Sequence, residues 1–257
     1  MARERVATGV EGLDAKLSGG LPIGKSYLVT GMPGTGKTTF ATQFILEGLK
    51  RGESGVYVSV DEKPNHVIED CAELGWDLKK HIDEGKLTLL DVGPYFNWVR
   101  YGRGQTVDSN EVIQDLTRQI RRVGAKRLVF DSLVTLVLHR ERVHDVQEFI
   151  RNLVFSIDDN LGCTTLMTSH VWPGALGNVN EASIEEYIVS GVILLRLANI
   201  GEGQYERKMF VSKMRGTPTD LREYTFDIVQ DRGLVVRGNQ HDLYTPDTAR
   251  NGVATLG

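Results

Sequence analysis

The octapeptide Gly31-Met-Pro-Gly-Thr-Gly-Lys-Thr38 satisfies the pattern G-x-x-x-x-G-K-[ST], whose residue types together form a cradle for a chain of phosphates. Gly34 and Gly36 lack side chains, so the backbone can turn its N–H groups inward around an anion. The peptides of Gly34, Thr35 and Gly36 are expected to line that anion, and Lys37 brings a full positive charge to the β and γ oxygens. The helix that starts near Lys37 and includes Thr38 and Thr39 adds the partial positive charge of its N-terminus. The Thr38 hydroxyl suits Mg2+ as a ligand. Such a phosphate loop predicts ATP and Mg2+ as the cofactors of the site.

A metal ion so placed also needs a carboxylate. Arg127-Leu-Val-Phe-Asp131 is an apolar strand ending in an acid, so Asp131 is expected to complete the metal shell. Hydrolysis further needs a base to orient the attacking water. The run Val56–Val60 ends in Asp61-Glu62, two acids at the C-terminal end of a strand, the edge where open α/β sheets bind ligands. Successive strand residues point to opposite sides, so the two are not expected to share one task. Glu62 is assigned as the base, with Asp61 assisting or orienting it and Lys37 as the cationic member of the catalytic group. The competing reading is two solvated acids in a turn before Pro64. His170, after the strand ending in Met167-Thr-Ser, stands at a further tip. It could hydrogen-bond a γ-phosphate or serve the structure alone.

These groups need a scaffold. Ser26–Thr30 (SYLVT) reads as a buried parallel strand leading into the loop. Thr38–Lys50 reads as a helix leading out, with Phe40, Ala41, Phe44, Ile45 and Leu49 at helical spacing and Gly52 beyond its end. Further strands are expected at Val56–Val60, Leu87–Asp91, Arg127–Asp131 and Cys163–Ser169, and helices at Pro64–Leu74, Glu111–Val123 and Asp145–Asn160. Strands alternating with helices predict an α/β fold with a mostly parallel central sheet covered on both faces. From about residue 188 the helices stop. Val189–Leu197, Arg207–Lys213, Tyr224–Val229 and Leu234–Arg237 predict a meandering, largely antiparallel extension at the sheet edge. Gly93–Ser109 reads as a long surface loop, and 239–257 as a loose tail behind one domain spanning 1–238.

Composition narrows the classes. The chain has 257 residues, enough for one well-buried α/β domain, and its 40% apolar and 25% charged content is that of a soluble globular protein. A net charge of −4 gives no whole-molecule attraction to nucleic acid. Cys71 and Cys163 stand far apart without a CxxC spacing and read as small buried residues of a reducing compartment. No apolar stretch at the N-terminus suggests a secretory signal, and no run approaches a membrane span, so a cytoplasmic location is expected.

Several segments beyond the loop resemble the KaiC-like branch of the RecA superfamily. They are Thr8-Gly-Val-Glu-Gly-Leu-Asp14, Gly19-Gly-Leu-Pro-Ile-Gly24, Glu47-Gly-Leu-Lys-Arg-Gly-Glu53, Gly75-Trp-Asp77 and Lys213-Met-Arg-Gly-Thr217, and the match runs from about Thr8 to Arg237. The resemblance implies a RecA-like P-loop NTPase fold assembling with itself into rings, usually hexamers, with ATP at the subunit interfaces. In that family the lysine and arginine of the last segment reach the neighbour's nucleotide, which makes Lys213, Arg215 and Thr217 nucleotide-binding candidates. A guanidinium supplied across an interface would offset developing phosphate charge. Asp61-Glu62 falls on the family's paired acids, normally Glu-Glu. Clock members of the family carry two such domains, one of which phosphorylates a Ser-Thr pair ahead of a strand. Here Glu186-Tyr187 occupies that place, so no such autokinase activity is expected, although Ser183 and Ser190 are nearby hydroxyls.

The main rival is a DNA-binding recombinase-like ATPase. Trp98, Arg100, Tyr101 and Arg103 interleave rings and charges, and Arg118, Arg121 and Arg122 follow on the next helix. An ordinary loop and a solvated helix face explain these residues more simply. A scaffold that binds ATP without cleaving it is disfavoured by the presence of Lys37, Thr38, Asp131 and Glu62 together. The reading is therefore a regulatory ATPase of slow turnover, with a protein partner that the sequence does not name.

Overall fold

The computed structural model describes residues 3–92, 109–133, 143–170 and 184–237. Strand β1 (Arg5–Val6) pairs antiparallel with β2 (Leu21–Pro22), with a 3-10 turn at Asp14–Leu17 between them. Next come β3 (Ser26–Gly31), α1 (Lys37–Lys50), β4 (Ser54–Ser59), α2 (Pro64–Glu73), α3 (Leu78–Asp83) and β5 (Leu87–Asp91). They are followed by α4 (Ser109–Val123), β6 (Ala125–Asp131), α5 (Val143–Asn160), β7 (Thr164–His170) and α6 (Ile184–Ile188). The last described elements are β8 (Gly191–Gly201), β9 (Gln204–Met214), β10 (Glu223–Val229) and β11 (Gly233–Val236).

Among the described residues β3 to β11 form one nine-stranded sheet, ordered β11-β10-β9-β8-β3-β7-β6-β4-β5. The pairings from β8 across to β5 are all parallel, and those from β8 out to β11 are antiparallel. Both faces of the parallel part are covered. Strand alternation sends Tyr27, Val29, Tyr57, Val129 and Leu166 to one face, where Phe40, Phe44 and Ile45 of α1 meet them. It sends Leu28, Val56, Val58, Leu128, Phe130 and Met167 to the other, against Leu116 and Ile120 of α4 and Ile150 and Leu153 of α5. Burial on both sides explains why these strands read as continuous apolar runs.

The expected α/β sheet with helices on both faces and an antiparallel extension is present. The strand expected at Val189–Leu197 differs in one respect: as β8 it pairs parallel with β3, so the antiparallel part begins at β9. Helix α3 has no counterpart in the sequence reading, because six residues carry too little periodicity. Its local mark is the Asp77 carboxylate, which accepts a hydrogen bond from the Lys80 N–H at 2.9 Å. The surface loop expected at Gly93–Ser109 lies outside the described residues apart from Ser109, which opens α4, and so does the tail expected at 239–257.

One buried charge ties the sheet to α1 at the end away from the glycine loop. Arg127, at the start of β6, is only 1% exposed. Its Nε donates to Glu53 Oε2 at 2.5 Å, and its Nη1 donates to the carbonyls of Ala7 and Phe44, each at 2.8 Å. The guanidinium also sits 4.6 Å from the Phe44 ring centre. Gly48 makes room for it, since a Cβ there would lie 2.5 Å from Arg127 Cδ. Removing the counter-charge leaves a cation with little water to solvate it. Glu53→Ala is therefore expected to destabilise the fold by about 3 kcal/mol, read as a lowered urea midpoint at unchanged slope.

Candidate functional site

Strand β3 ends at Gly31, level with His170 on β7 and Leu195 on β8. A Cβ on Gly31 would lie 2.2 Å from the Leu195 carbonyl oxygen, so the turn out of β3 accepts no side chain. Gly34 and Gly36 follow at φ +79° and +105°, backbone that glycine adopts readily, and a Cβ on Gly36 would in addition meet Ile228 Cδ1 at 2.9 Å. The Thr35 hydroxyl closes the turn by donating to the Met32 carbonyl at 2.8 Å. Helix α1 then begins, with Phe40 N–H donating to Gly36 O at 2.9 Å and Thr38 and Thr39 half-buried in its first turn. Lys37 is 7% exposed, and its ammonium donates to the carbonyls of Gly31 at 2.9 Å and Met32 at 3.0 Å. Burial lowers the affinity of this amine for its proton, while Asp131 and Asp61 act in the opposite sense.

Asp131 ends β6 level with Ser59 on β4, and one position beyond the Phe130–Met167 pair on β7. Both of its oxygens accept hydrogen bonds from buried neighbours: Oδ2 from the Tyr57 hydroxyl at 2.8 Å, and Oδ1 from the Thr168 hydroxyl. Burial first, and then the Asp131 charge, push the Tyr57 phenol well above its ordinary value, so it acts as a donor. Strand β4 stops at Ser59, so Asp61 and Glu62 stand in a bend and strand alternation does not govern them. The Ser59 hydroxyl holds that bend by donating to Glu62 O at 2.6 Å, and the Ser132 hydroxyl donates to Asp61 Oδ2 at 2.6 Å. The Glu62 side chain is exposed, yet partial desolvation and the charges of Asp70, Asp131 and Asp61 raise its proton affinity, against His66. His170 is half-buried, and its buried Nδ1 has no hydrogen-bond partner among the described residues. Burial and Lys37 lower its proton affinity, opposed by Asp61 and Asp131. Lys37, Asp61, Asp131, Glu62 and His170 thus form one electrostatic cluster around the glycine loop.

Lys213, Arg215 and Thr217 lie elsewhere. Gly31 is level with Leu195 and Met209, whereas Lys213 is level with Val192 and Leu28, toward the opposite edge of the sheet. Three residues of strand along β3 and β8 separate the two levels, roughly 10 Å. Lys213 Nζ donates to the carbonyls of Glu186 at 2.8 Å and Tyr187 at 3.1 Å, and Arg215 Nη2 donates to Tyr187 O at 2.9 Å. Both cations thereby satisfy carbonyls at the C-terminal end of α6. Thr217 is buried and accepts a hydrogen bond from Arg5 Nη2 at 2.9 Å. These three do not join the glycine loop of their own chain.

Four polar residues of the site escaped the sequence reading: Tyr57, Ser59, Ser132 and Thr168. Each is a small or aromatic polar residue inside or just after an apolar strand. The available signal was period-two spacing, which puts Tyr57 and Ser59 on the same face as Asp131 and Thr168.

The donor set suits a nucleotide with its metal. Peptide groups and a cation surround the loop, and among the described residues no group of three or more His, Cys, Asp or Glu side chains could hold an ion unaided. One carboxylate and one hydroxyl are the modest protein contribution that Mg2+ takes when phosphates supply the rest. The sheet order and this edge define an α/β protein of the RecA type, and the chain belongs to the KaiC ATPase family. A family model described as "ATPase: KaiC" matches residues 6–241. The chain is 36% identical over 240 residues to a UPF0273 protein of Pyrococcus horikoshii, covering 90% of this chain and 93% of that one. It is also 36% identical over 239 residues to the circadian clock oscillator protein KaiC of Synechococcus elongatus, covering 90% of this chain but 43% of that one. The crystal structure of a KaiC-like protein from P. horikoshii superposes with a TM-score of 0.78 at 32% identity, covering 92% of this chain and 100% of that one. Nucleotide binding and ATPase chemistry follow from the family.

Gly36→Ala forces a side chain into a left-handed backbone and against Ile228. It is expected to weaken nucleotide binding at least about tenfold, since strain of the order of 1–3 kcal/mol falls on the loop. Titration with a fluorescent nucleotide checks this.

Proposed function

We propose that the chain is a Mg2+-dependent, slowly turning-over regulatory ATPase. It works as a homo-oligomeric ring, with each active site shared between adjacent copies. The observation that carries this reading is the separation of charge across one sheet. The acids and the glycine loop stand at one edge, and Lys213 and Arg215 toward the other. A head-to-tail contact between copies would bring the two edges together, and contacts of that kind close into rings when the rotation permits. A hexamer is the family's usual ring. Within the site, Thr38 and Asp131 would hold Mg2+, which would neutralise charge on the phosphates. The loop peptides and Lys37 bind and orient the β and γ groups. Glu62 accepts the proton of the attacking water, aided by its raised proton affinity. Asp61, fixed by Ser132, shapes the field around it. The Nδ1 of His170, without a hydrogen-bond partner among the described residues, would hydrogen-bond a γ-phosphate. Arg215 of the adjacent copy would complete the charge balance, so turnover depends on assembly.

The catalytic unit is one domain over 1–238, supported by the continuous nine-stranded sheet among the described residues. The ATP state then controls assembly or the docking of a protein partner. Autophosphorylation of the clock type is not part of this reading, because Glu186-Tyr187 precedes β8 where a hydroxyl pair would be needed. Ser183 lies outside the described residues. DNA binding is not favoured. Trp98, Arg100, Tyr101 and Arg103 also lie outside them, while Arg118 pairs with Asp115 at 3.1 Å and Arg122 donates to Thr88 at 3.3 Å. No helix of the described residues is long and apolar enough to cross a membrane.

Glu62→Gln is expected to retain nucleotide binding and to lose hydrolysis by about 100-fold or more, measured as phosphate release. Normal turnover by the purified variant would remove Glu62 from the mechanism. Lys37→Ala and Arg215→Ala should each be inactive alone. Mixed together they should regain activity, because a mixed ring places an intact loop opposite an intact arginine at some interfaces. Co-assembly without recovery would exclude a shared site.

A further inference from the structure

The carboxylate of Asp131 is gripped from the two strands that flank β6. Tyr57 is 0% exposed, and the amphipathic ring that fills the core beneath α1 carries the only hydroxyl bonded to Asp131 Oδ2 among the described hydrogen bonds. On β4 it is level with Val129, two residues before the tip of β6 and on the same face as Asp131, so its phenol reaches along the sheet toward that tip. Thr168 holds the other oxygen from β7. The helix that presents Thr38 packs over the same face of the sheet as the Tyr57 ring.

We propose that Tyr57 is a positioning residue, which with Thr168 fixes the Asp131 carboxylate in the orientation a nucleotide-bound Mg2+ requires. This rests on the metal role given to Asp131 above. The physical reason is torsional. A carboxylate turns easily about its last bond, whose energy wells are broad. Mg2+ demands nearly ideal octahedral geometry, so a ligand free to turn binds it less well. Hydrogen bonds on both oxygens remove that freedom while leaving lone pairs on each. Partners of this kind around a metal typically contribute about 10–100-fold in affinity.

The test compares the full-length chain with Tyr57→Phe, which keeps the ring and deletes the hydroxyl. Binding of a fluorescent ATP analogue is titrated in Mg2+ and in EDTA, with thermal unfolding followed alongside. We expect unchanged affinity in EDTA and a loss of about tenfold or more of the Mg2+-dependent gain. Thr168→Val, which removes the grip on the other oxygen, should lose part of the same gain. Equal losses in Mg2+ and EDTA would mean a general disturbance of the site and overturn the proposal, as would full retention of the gain. If Tyr57→Phe does not fold, Thr168→Val decides, and an undiminished gain there overturns the proposal. A wild-type chain with no Mg2+-dependent gain would overturn the metal role of Asp131, and the role of Tyr57 with it.

Discussion

Everything at the site depends on the register of four parallel strands. β3, β7, β6 and β4 lie side by side, with β3 and β7 running two residues beyond the level at which β6 and β4 end, which brings Gly31, His170, Asp131 and Ser59 to one edge. Residue types alone would not achieve this. A slip of a single residue in β6 would turn Asp131 to the α5 face and Phe130 toward α1, away from Tyr57 and Thr168. Two apolar layers, one on each face, make such a slip costly. Arg127 pins the far end of β6 to Glu53, Ala7 and Phe44, so the strand is fixed at both of its ends.

That register concentrates opposed charges in a small volume. Lys37 is buried among loop carbonyls, and Asp61 and Asp131 favour its charged form against the pull of desolvation. Partial desolvation first, and then Asp70 with the same two acids, make Glu62 hold its proton more readily than an ordinary glutamate. An arrangement with acids close to one cation and an open glycine loop favours an incoming polyphosphate with its metal, which rebalances both signs at once. Lys213 and Arg215 are absent from that balance within one chain. They satisfy the last carbonyls of α6, where positive charge is favourable in its own right.

How much of this could be read from the chain varied with the range of the interactions. The β3–loop–α1 unit was legible in full, because glycine spacing, the strand and the helical repeat are all local. Asp131 and His170 were legible as acid and imidazole at the tips of apolar strands. The parallel pairing of β8 was not, since a strand's apolar pattern does not state the direction of its neighbour. Nor was the bend at Asp61-Glu62, which depends on the Ser59 hydroxyl reaching three residues ahead. Tyr57 reads as one more aromatic in an apolar run, and its hydroxyl acquires a meaning once β6 lies beside β4.

The residues therefore settle the chemistry on offer and the folding rules settle its layout. Glycines, a lysine, a threonine and three acids at these spacings specify a cradle for an anion and a metal, because side-chain charge, ligand type and backbone freedom are properties of single residues and short segments. Which donors grip Asp131, which acids reach Lys37, and that Lys213 and Arg215 stand away from the loop of their own chain are long-range facts. They depend on strand order and register, which arise from burying both faces of the sheet at once and are encoded in no single stretch of the chain.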